Sequence, residues 1–207
     1  MKIGKTDLVY LALPLVLWPL SFIVLQSVFI YALAASTAVL ACLSLLLYMD
    51  KIVWSRGSSK IIVLIFGAAA AIVLYAIFVF GGAAASALGL GSYVSSVYAS
   101  IYGSQGKGLS TIFLLALIGL FEEIYWRGGV QGYAAAKSKR FAKVPWVAST
   151  AYYTFVHIAT LNPILVVSAL FVGLCTGIVA HKAGILASTV THILWIEAIV
   201  VFFPVVL

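Results

Sequence analysis

The sequence feature that most limits the fold is an apolar block of about 42 residues, Leu8 to Met49, which contains no charged residue. An α-helix needs about 20 apolar residues to cross the hydrocarbon core of a bilayer. Because the block is twice that length, we predict two membrane-spanning helices in it, at about 8–25 and 28–49. The chain is expected to turn between them near Gln26.

The rest of the chain is also short of charge. Of its 207 residues, 65% are hydrophobic and 8% are charged, and the mean hydropathy is +1.22. A soluble domain carries roughly 25% charged residues. Because so few charges cannot cover a surface in contact with water, most of the surface of the folded chain must face lipid. We therefore predict an all-α fold, a polytopic transmembrane helical bundle of about seven spans (six to eight), in a single integral membrane domain over residues 1–207.

Hydropathy divides this domain into three parts. Residues 1–80 hold three N-terminal spans, and residues 109–207 form a helical core with four more. Between them, residues 81–108 are rich in Gly, Ala, Ser and Tyr, so we expect a polar connector there, as an interfacial loop or short helix. The predicted spans lie at about 8–25, 28–49, 61–80, 109–133, 145–159, 164–180 and from 185 to near the end.

Basic residues in the short connectors predict the orientation. Seven spans with a cytoplasmic N-terminus place ten of them inside the cell and only Lys107 outside, in agreement with the positive-inside rule. The ten are Lys2, Lys5, Lys51, Arg56, Lys60, Lys137, Lys139, Arg140, Lys143 and Lys182. We therefore expect a multi-pass protein of the cytoplasmic membrane. Its net charge of +7 follows from topology and does not predict a nucleic-acid partner.

Three charged side chains lie inside one apolar segment, where each costs about 2.5–3.5 kcal/mol near the bilayer centre. They are Glu122, Glu123 and Arg127. Glu123 and Arg127 are four residues apart and can pair on one helix face, whereas Glu122 is rotated by about 100° from Glu123. A less fully paired carboxylate in a low-dielectric pocket suits a general base. A structural ion pair that braces helix packing is the alternative.

Two histidines, His157 and His192, lie inside predicted spans. A lone histidine in an apolar helix is usually a hydrogen-bonded core residue, but polar groups in lipid seek one another. We therefore expect both to converge with Glu122 on one cavity, and Tyr153, one turn before His157, to share its face. Glu197 is a further acid in the last span, and either a histidine partner or a place near the outer interface would explain it.

The order of these residues resembles a known family. The motif E-E-x-x-x-R begins at Glu122, an aromatic-x-x-x-His motif ends at His157, and His192 opens a third motif. In this order, on successive hydrophobic helices, the motifs resemble the CAAX prenyl protease and bacteriocin-processing family of glutamic intramembrane proteases. The resemblance covers roughly residues 109–200.

This resemblance implies a role for each site residue. Glu122 would be the base that activates water, assisted by His157. Glu123 and Arg127 would hold the first motif in shape, and His192 would help to bind the oxyanion. The implied protein is a glutamic-type intramembrane endopeptidase that hydrolyses a membrane-associated peptide or protein near the cytoplasmic half of the bilayer, with no metal or other cofactor.

The chain departs from the family pattern in the third motif. The family commonly has Asn four residues after the histidine, where this chain has Ile196. Tyr153, Ser188 or a backbone group could supply the missing donor. Substrates of such a family include prenylated C-termini, bacteriocin leaders and C-terminal sorting signals. The short chain, without organelle signals, favours a prokaryotic role with one of the latter two.

Other functions are compatible with the same residues. Glu122, His157 and His192 could bind zinc as three ligands of a metal hydrolase, although the sequence has no H-E-x-x-H motif. Buried Glu and His residues also suit the proton relay of a proton-coupled transporter. The third alternative is a catalytically silent scaffold or immunity protein, which Ile196 favours.

Overall fold

The computed structural model describes residues 4–56, 59–103 and 108–205. Within these residues all regular structure is helical, which confirms the predicted all-α class. Eight helices follow one another along the described chain. They are α1 (Lys5–Val24), α2 (Gln26–Lys51), α3 (Lys60–Ala87), α4 (Gly91–Gly103), α5 (Leu109–Lys137), α6 (Pro145–His157), α7 (Pro163–Ala183) and α8 (Ile185–Phe202).

Six of these eight helices are long and apolar enough to cross a membrane: α1, α2, α3, α5, α7 and α8. The prediction of a multi-pass helical bundle with six to eight spans is thus confirmed at its lower bound for the described residues. The predicted fifth span corresponds to α6, which has 13 residues. At 1.5 Å per residue this helix is about 20 Å long, shorter than a hydrocarbon core of about 30 Å.

The part predicted as a polar connector, residues 81–108, is largely helical. The helix α3 continues to Ala87, beyond the expected end of the third span near residue 80, and α4 follows after a short turn. Lys107, expected outside the cell, lies outside the described residues, as does Lys2, expected inside.

The helix α7 begins with a cap that also anchors α4. The Asn162 side-chain oxygen accepts hydrogen bonds from the backbone N–H groups of Ile164 and Leu165, at 2.9 and 3.2 Å, and Pro163 occupies the first helical position. Both features are typical of helix starts. The Asn162 amide nitrogen donates to the Tyr93 carbonyl over 2.9 Å, so the same residue holds α4 against α7.

One end of the bundle gathers the described connectors that carry basic residues, and we call it the basic end. There the hydroxyl of Tyr48 (α2) donates to Asp7 (α1) over 2.6 Å, and that of Tyr133 (α5) donates to the same carboxylate over 3.3 Å. The Arg56 backbone N–H donates to the Ala183 carbonyl over 2.8 Å. The connector between α2 and α3 therefore lies against the turn between α7 and α8.

Gly184 permits this close approach. Its φ of +90° lies in a region that side chains rarely adopt, and an added Cβ would lie 2.6 Å from the Ser55 Cα. Glycine is tolerated there because it has no Cβ. Backbone contact thus joins the two connectors at the basic end.

Candidate active site

The first motif lies on α5, at a place where that helix is enclosed by protein. All nine residues from Glu122 to Val130 are buried, and the helix widens to π geometry over Ile124–Val130. Such local π geometry is rare in proteins, and where it occurs it is often at a functional site. The charges that are costly in lipid are therefore placed among other helices and away from the bilayer.

Glu122 is held between two other helices. Its Oε2 accepts a hydrogen bond from the Tyr153 hydroxyl (α6) over 2.8 Å and lies 4.0 Å from Nε2 of His192 (α8). The residue is 5% exposed. Side chains from α5, α6 and α8 thus meet at this carboxylate.

Glu123 joins His192 to Arg127. Its Oε1 lies 2.9 Å from His192 Nδ1, and its Oε2 lies 3.6 Å from Arg127 Nε. Because an ionised carboxylate can only accept hydrogen bonds, His192 Nδ1 is the donor. The other ring nitrogen, Nε2, therefore faces Glu122, so the imidazole lies between the two carboxylates.

Arg127 connects α5 to its neighbours α6 and α7. Its Nε donates to the Thr176 hydroxyl over 2.8 Å, and one terminal nitrogen donates to the Ser149 hydroxyl over 2.9 Å. Ser149 in turn donates to the Trp126 carbonyl over 2.8 Å. The guanidinium carbon also lies 5.3 Å from the centre of the Tyr153 ring, within the range of a cation–π contact. Arg127 thus neutralises Glu123 and braces the helices around it.

His157 has both ring nitrogens engaged. Its Nδ1 lies 2.8 Å from the Tyr153 carbonyl oxygen, and its Nε2 accepts a hydrogen bond from Trp18 Nε1 over 3.3 Å. A carbonyl only accepts, so the proton of the imidazole is on Nδ1. The His157 ring centre lies 4.4 Å from that of Tyr153, which places His157 beside the residue that bonds Glu122.

The candidate site opens into a cavity of about 730 Å³. Glu122, Tyr153, His157 and His192 line it, and most other lining side chains are apolar. A membrane-embedded hydrolase needs such a space for both water and an apolar substrate segment. Glu122 and the two histidines therefore line one cavity, as the sequence predicted.

Ile196 also lines this cavity, at the position where the resembled family has Asn. Of the side chains expected to replace that amide, Tyr153 lines the cavity and reaches Glu122. The Ser188 hydroxyl instead donates to the Ile185 carbonyl over 3.1 Å. Tyr153 is accordingly the better placed donor.

Sequence reasoning missed three polar neighbours of the site: Trp18, Ser149 and Thr176. Trp18 is fully buried in α1, and its only sequence signal is an indole inside an apolar helix, which α5, α6 and α8 also have. Ser149 and Thr176 belong to none of the three motifs and carry no charge. Nothing in their spacing indicates that they would meet Arg127.

Glu197 stands apart from this network. It is 7% exposed, and neither carboxylate oxygen has a hydrogen-bond partner among the described residues. It does not line the cavity described above. The histidine partner considered from the sequence is therefore not found within the described part of the chain.

A metal site was the other possibility raised by Glu122, His157 and His192. Within residues 4–56, 59–103 and 108–205, no three His, Cys, Asp or Glu side chains are grouped closely enough to hold a metal ion. The carboxylates are instead engaged by Tyr153, His192 and Arg127, as the distances above show.

Comparison with known proteins identifies the region that carries the three motifs. Residues 104–196 match the family model described as type II CAAX prenyl endopeptidase Rce1-like. No curated protein and no solved structure matches the chain. The match covers somewhat less than half of the chain, and the first three long helices lie outside it. The protein is thus a multi-pass membrane protein whose residues 104–196 match the type II CAAX prenyl endopeptidase Rce1-like family model, as the resemblance indicated.

Proposed function

We propose that this protein is a glutamic-type intramembrane endopeptidase in which Glu122 activates the attacking water. The observation that carries the proposal is the position of the Glu122 carboxylate at the cavity wall, 2.8 Å from the Tyr153 hydroxyl and 4.0 Å from His192 Nε2. A base and two potential donors therefore surround a space large enough for a peptide bond.

The first step is attack on the scissile carbonyl. Glu122 takes a proton from water as the water oxygen forms a bond to the carbonyl carbon. The carbonyl oxygen becomes an oxyanion. The Tyr153 hydroxyl is placed to bind it once protonation of Glu122 releases the hydrogen bond between them, and His192 Nε2–H is placed to bind it when His192 is doubly protonated. Glu123 accepts from His192 Nδ1 and so fixes the direction of the ring.

The second step is cleavage of the C–N bond. Glu122 returns its proton to the leaving amine nitrogen as the oxyanion collapses, which leaves a carboxylic acid and an amine and restores the carboxylate. His157 carries its proton on Nδ1, so its Nε2 is an acceptor. It therefore assists by orienting water and does not bind the oxyanion, provided that Trp18 yields its hydrogen bond.

The cell and membrane context of this activity is also a proposal. The described basic residues of the connectors lie at one end of the bundle. By the positive-inside rule, that end and the N-terminus face the cytoplasmic side of the cell membrane. Maturation of peptides, or processing of C-terminal sorting signals, in a prokaryote follows from the substrates of the family that the chain resembles. The partner is then a membrane-associated peptide or protein.

The test uses the full chain coexpressed with a candidate membrane-anchored substrate. Glu122→Gln is expected to lower cleavage by about 10²–10⁴-fold, the usual contribution of a general base. Glu197→Gln is the matched control, because Glu197 is also buried but does not line the cavity. Cleavage that continues undiminished in Glu122→Gln or Glu122→Ala would remove the glutamate-base mechanism.

A further inference from the structure

The cavity beside Glu122 extends toward only one end of the bundle. Its described lining residues lie in the stretches 22–33, 77–122, 153–172 and 192–205. None falls within 34–76, 123–152 or 173–191, the stretches that contain the connectors of the basic end. The cavity therefore runs from the middle of the bundle away from the basic residues.

Exposed lining residues show where the cavity opens. Phe80, Leu161 and Tyr93 line it and are 76%, 75% and 41% exposed. Phe80 is twenty residues along α3 from Lys60 at the basic end, a rise of about 30 Å. The mouth of the cavity and the basic end are thus separated by about the thickness of a hydrocarbon core.

Toward the basic end, the part of α5 that follows Glu122 is buried against neighbouring helices. The next turns of α5 carry Tyr125 and Trp126, which are 0% and 1% exposed. The Tyr125 hydroxyl donates to the Tyr10 carbonyl over 3.0 Å, and the Gln131 amide donates to the Gly177 carbonyl over 3.1 Å. These contacts join α5 to α1 and α7, whereas among the described residues the cavity reaches the carboxylate from the side of Phe80.

The distribution of basic residues indicates from which side of the membrane this route is entered. Among the described residues, every Lys and Arg except the buried Arg127 lies at the basic end, which the positive-inside rule assigns to the cytoplasm. We propose that the substrate enters from the opposite, extracytoplasmic side. Resting on the proposed function, this makes the substrate a polypeptide whose scissile segment is exposed on the extracytoplasmic side, and not a cytoplasmic C-terminus.

The proposed side of entry differs from the expectation of a cut near the cytoplasmic half of the bilayer. The sequence gives the depth of Glu122 along α5, about the middle of the helix. It does not give the end toward which the cavity opens, because that depends on which helices diverge around it.

Cysteine labelling tests the direction of access without any need for catalysis. The full chain is first given the substitutions Cys42→Ala and Cys175→Ala, which remove its two native thiols. Ser96→Cys and, separately, Ser100→Cys place a thiol on the cavity wall of α4. Lys139→Cys places one on the exposed connector of the basic end. Intact cells are treated with a membrane-impermeant maleimide before and after permeabilisation.

S96C and S100C are expected to react in intact cells, whereas K139C is expected to react only after permeabilisation. If neither cavity variant reacts in intact cells, or if K139C reacts there as well, the proposal is overturned. Because S100C retains Ser96, which accepts a hydrogen bond from Asn162, local damage by S96C alone does not decide the result.

The same labelling is repeated with Glu122→Gln added, and the pattern is expected to stay unchanged. Extracytoplasmic labelling together with undiminished cleavage in Glu122→Gln would contradict the proposed mechanism and leave the access route intact. Loss of extracytoplasmic labelling, with cleavage that still depends on Glu122, would contradict the access route and leave the proposed mechanism intact. The two proposals therefore fail separately.

Discussion

Trp18 donates its indole N–H to Nε2 of His157 over 3.3 Å, from a helix that lies outside the family match. His157 Nδ1 is already engaged by the Tyr153 carbonyl. Trp18 therefore occupies the lone pair with which His157 would orient water. An N-terminal helix that contributed little to the family resemblance thus supplies a direct contact to a candidate catalytic residue.

Replacement of Trp18 is expected to affect catalysis more than folding. Trp18→Phe keeps an aromatic ring but removes the donor, and one hydrogen bond is worth about 0.5–1.5 kcal/mol. Because the lone pair of His157 Nε2 is then free to orient water, we expect kcat to rise by about two- to ten-fold with little change in KM, measured on the purified protein. Trp126→Phe is the matched control, since the buried Trp126 indole nitrogen has no hydrogen-bond partner among the described residues. Equal effects of both variants on kcat would show that Trp18 acts only through packing.

Tyr153→Phe removes the hydroxyl that reaches Glu122 and keeps the ring beside His157. If Tyr153 replaces the amide that Ile196 lacks, the variant loses a donor to the oxyanion, which typically costs about 10²–10³-fold in kcat. Single-turnover cleavage measures that loss. Tyr152→Phe, one residue away and outside the cavity lining, serves as the control. A kcat for Tyr153→Phe within a factor of two of the wild type would assign the oxyanion to other groups.

Arg127→Met is expected to destabilise the fold. It removes the cation beside Glu123 and leaves that buried carboxylate without its charge partner, and breaking a buried ion pair costs about 3–5 kcal/mol. Thermal unfolding in detergent should show a lower Tm. Glu123→Gln combined with Arg127→Met removes both charges and should recover much of the loss. A Tm of the single variant equal to that of the wild type would contradict the bracing role of Arg127.

Treatment with a chelator separates the glutamate mechanism from a zinc mechanism. We expect cleavage by the purified protein to continue after incubation with a strong zinc chelator, because the carboxylates of the site are engaged by protein side chains. Metal content and activity are measured on the same sample. Activity that disappears with the metal and returns with added zinc would favour metal-assisted hydrolysis.

The spans and the first motif could be predicted from the sequence because both depend on local spacing. An apolar run of sufficient length forms a membrane helix wherever it occurs, and the pair Glu123 and Arg127 follows from a four-residue separation on one helix. The predicted bundle and the family resemblance are confirmed for this reason. The convergence of His157 and His192 on Glu122 could be inferred only from the cost of leaving polar groups in lipid.

Contacts between distant helices were decided by the tertiary structure alone. Trp18 meets His157 across 139 positions, and Thr176 meets Arg127 across 49, because the rotation of each helix about its axis chooses the face that meets its neighbour. That rotation cannot be predicted from the composition of one helix or from the spacing of residues along it. The sequence therefore determined which residues lie in the membrane and which charges need partners. The packed bundle decided which partners they have, why Glu197 has none among the described residues, and toward which end the cavity opens.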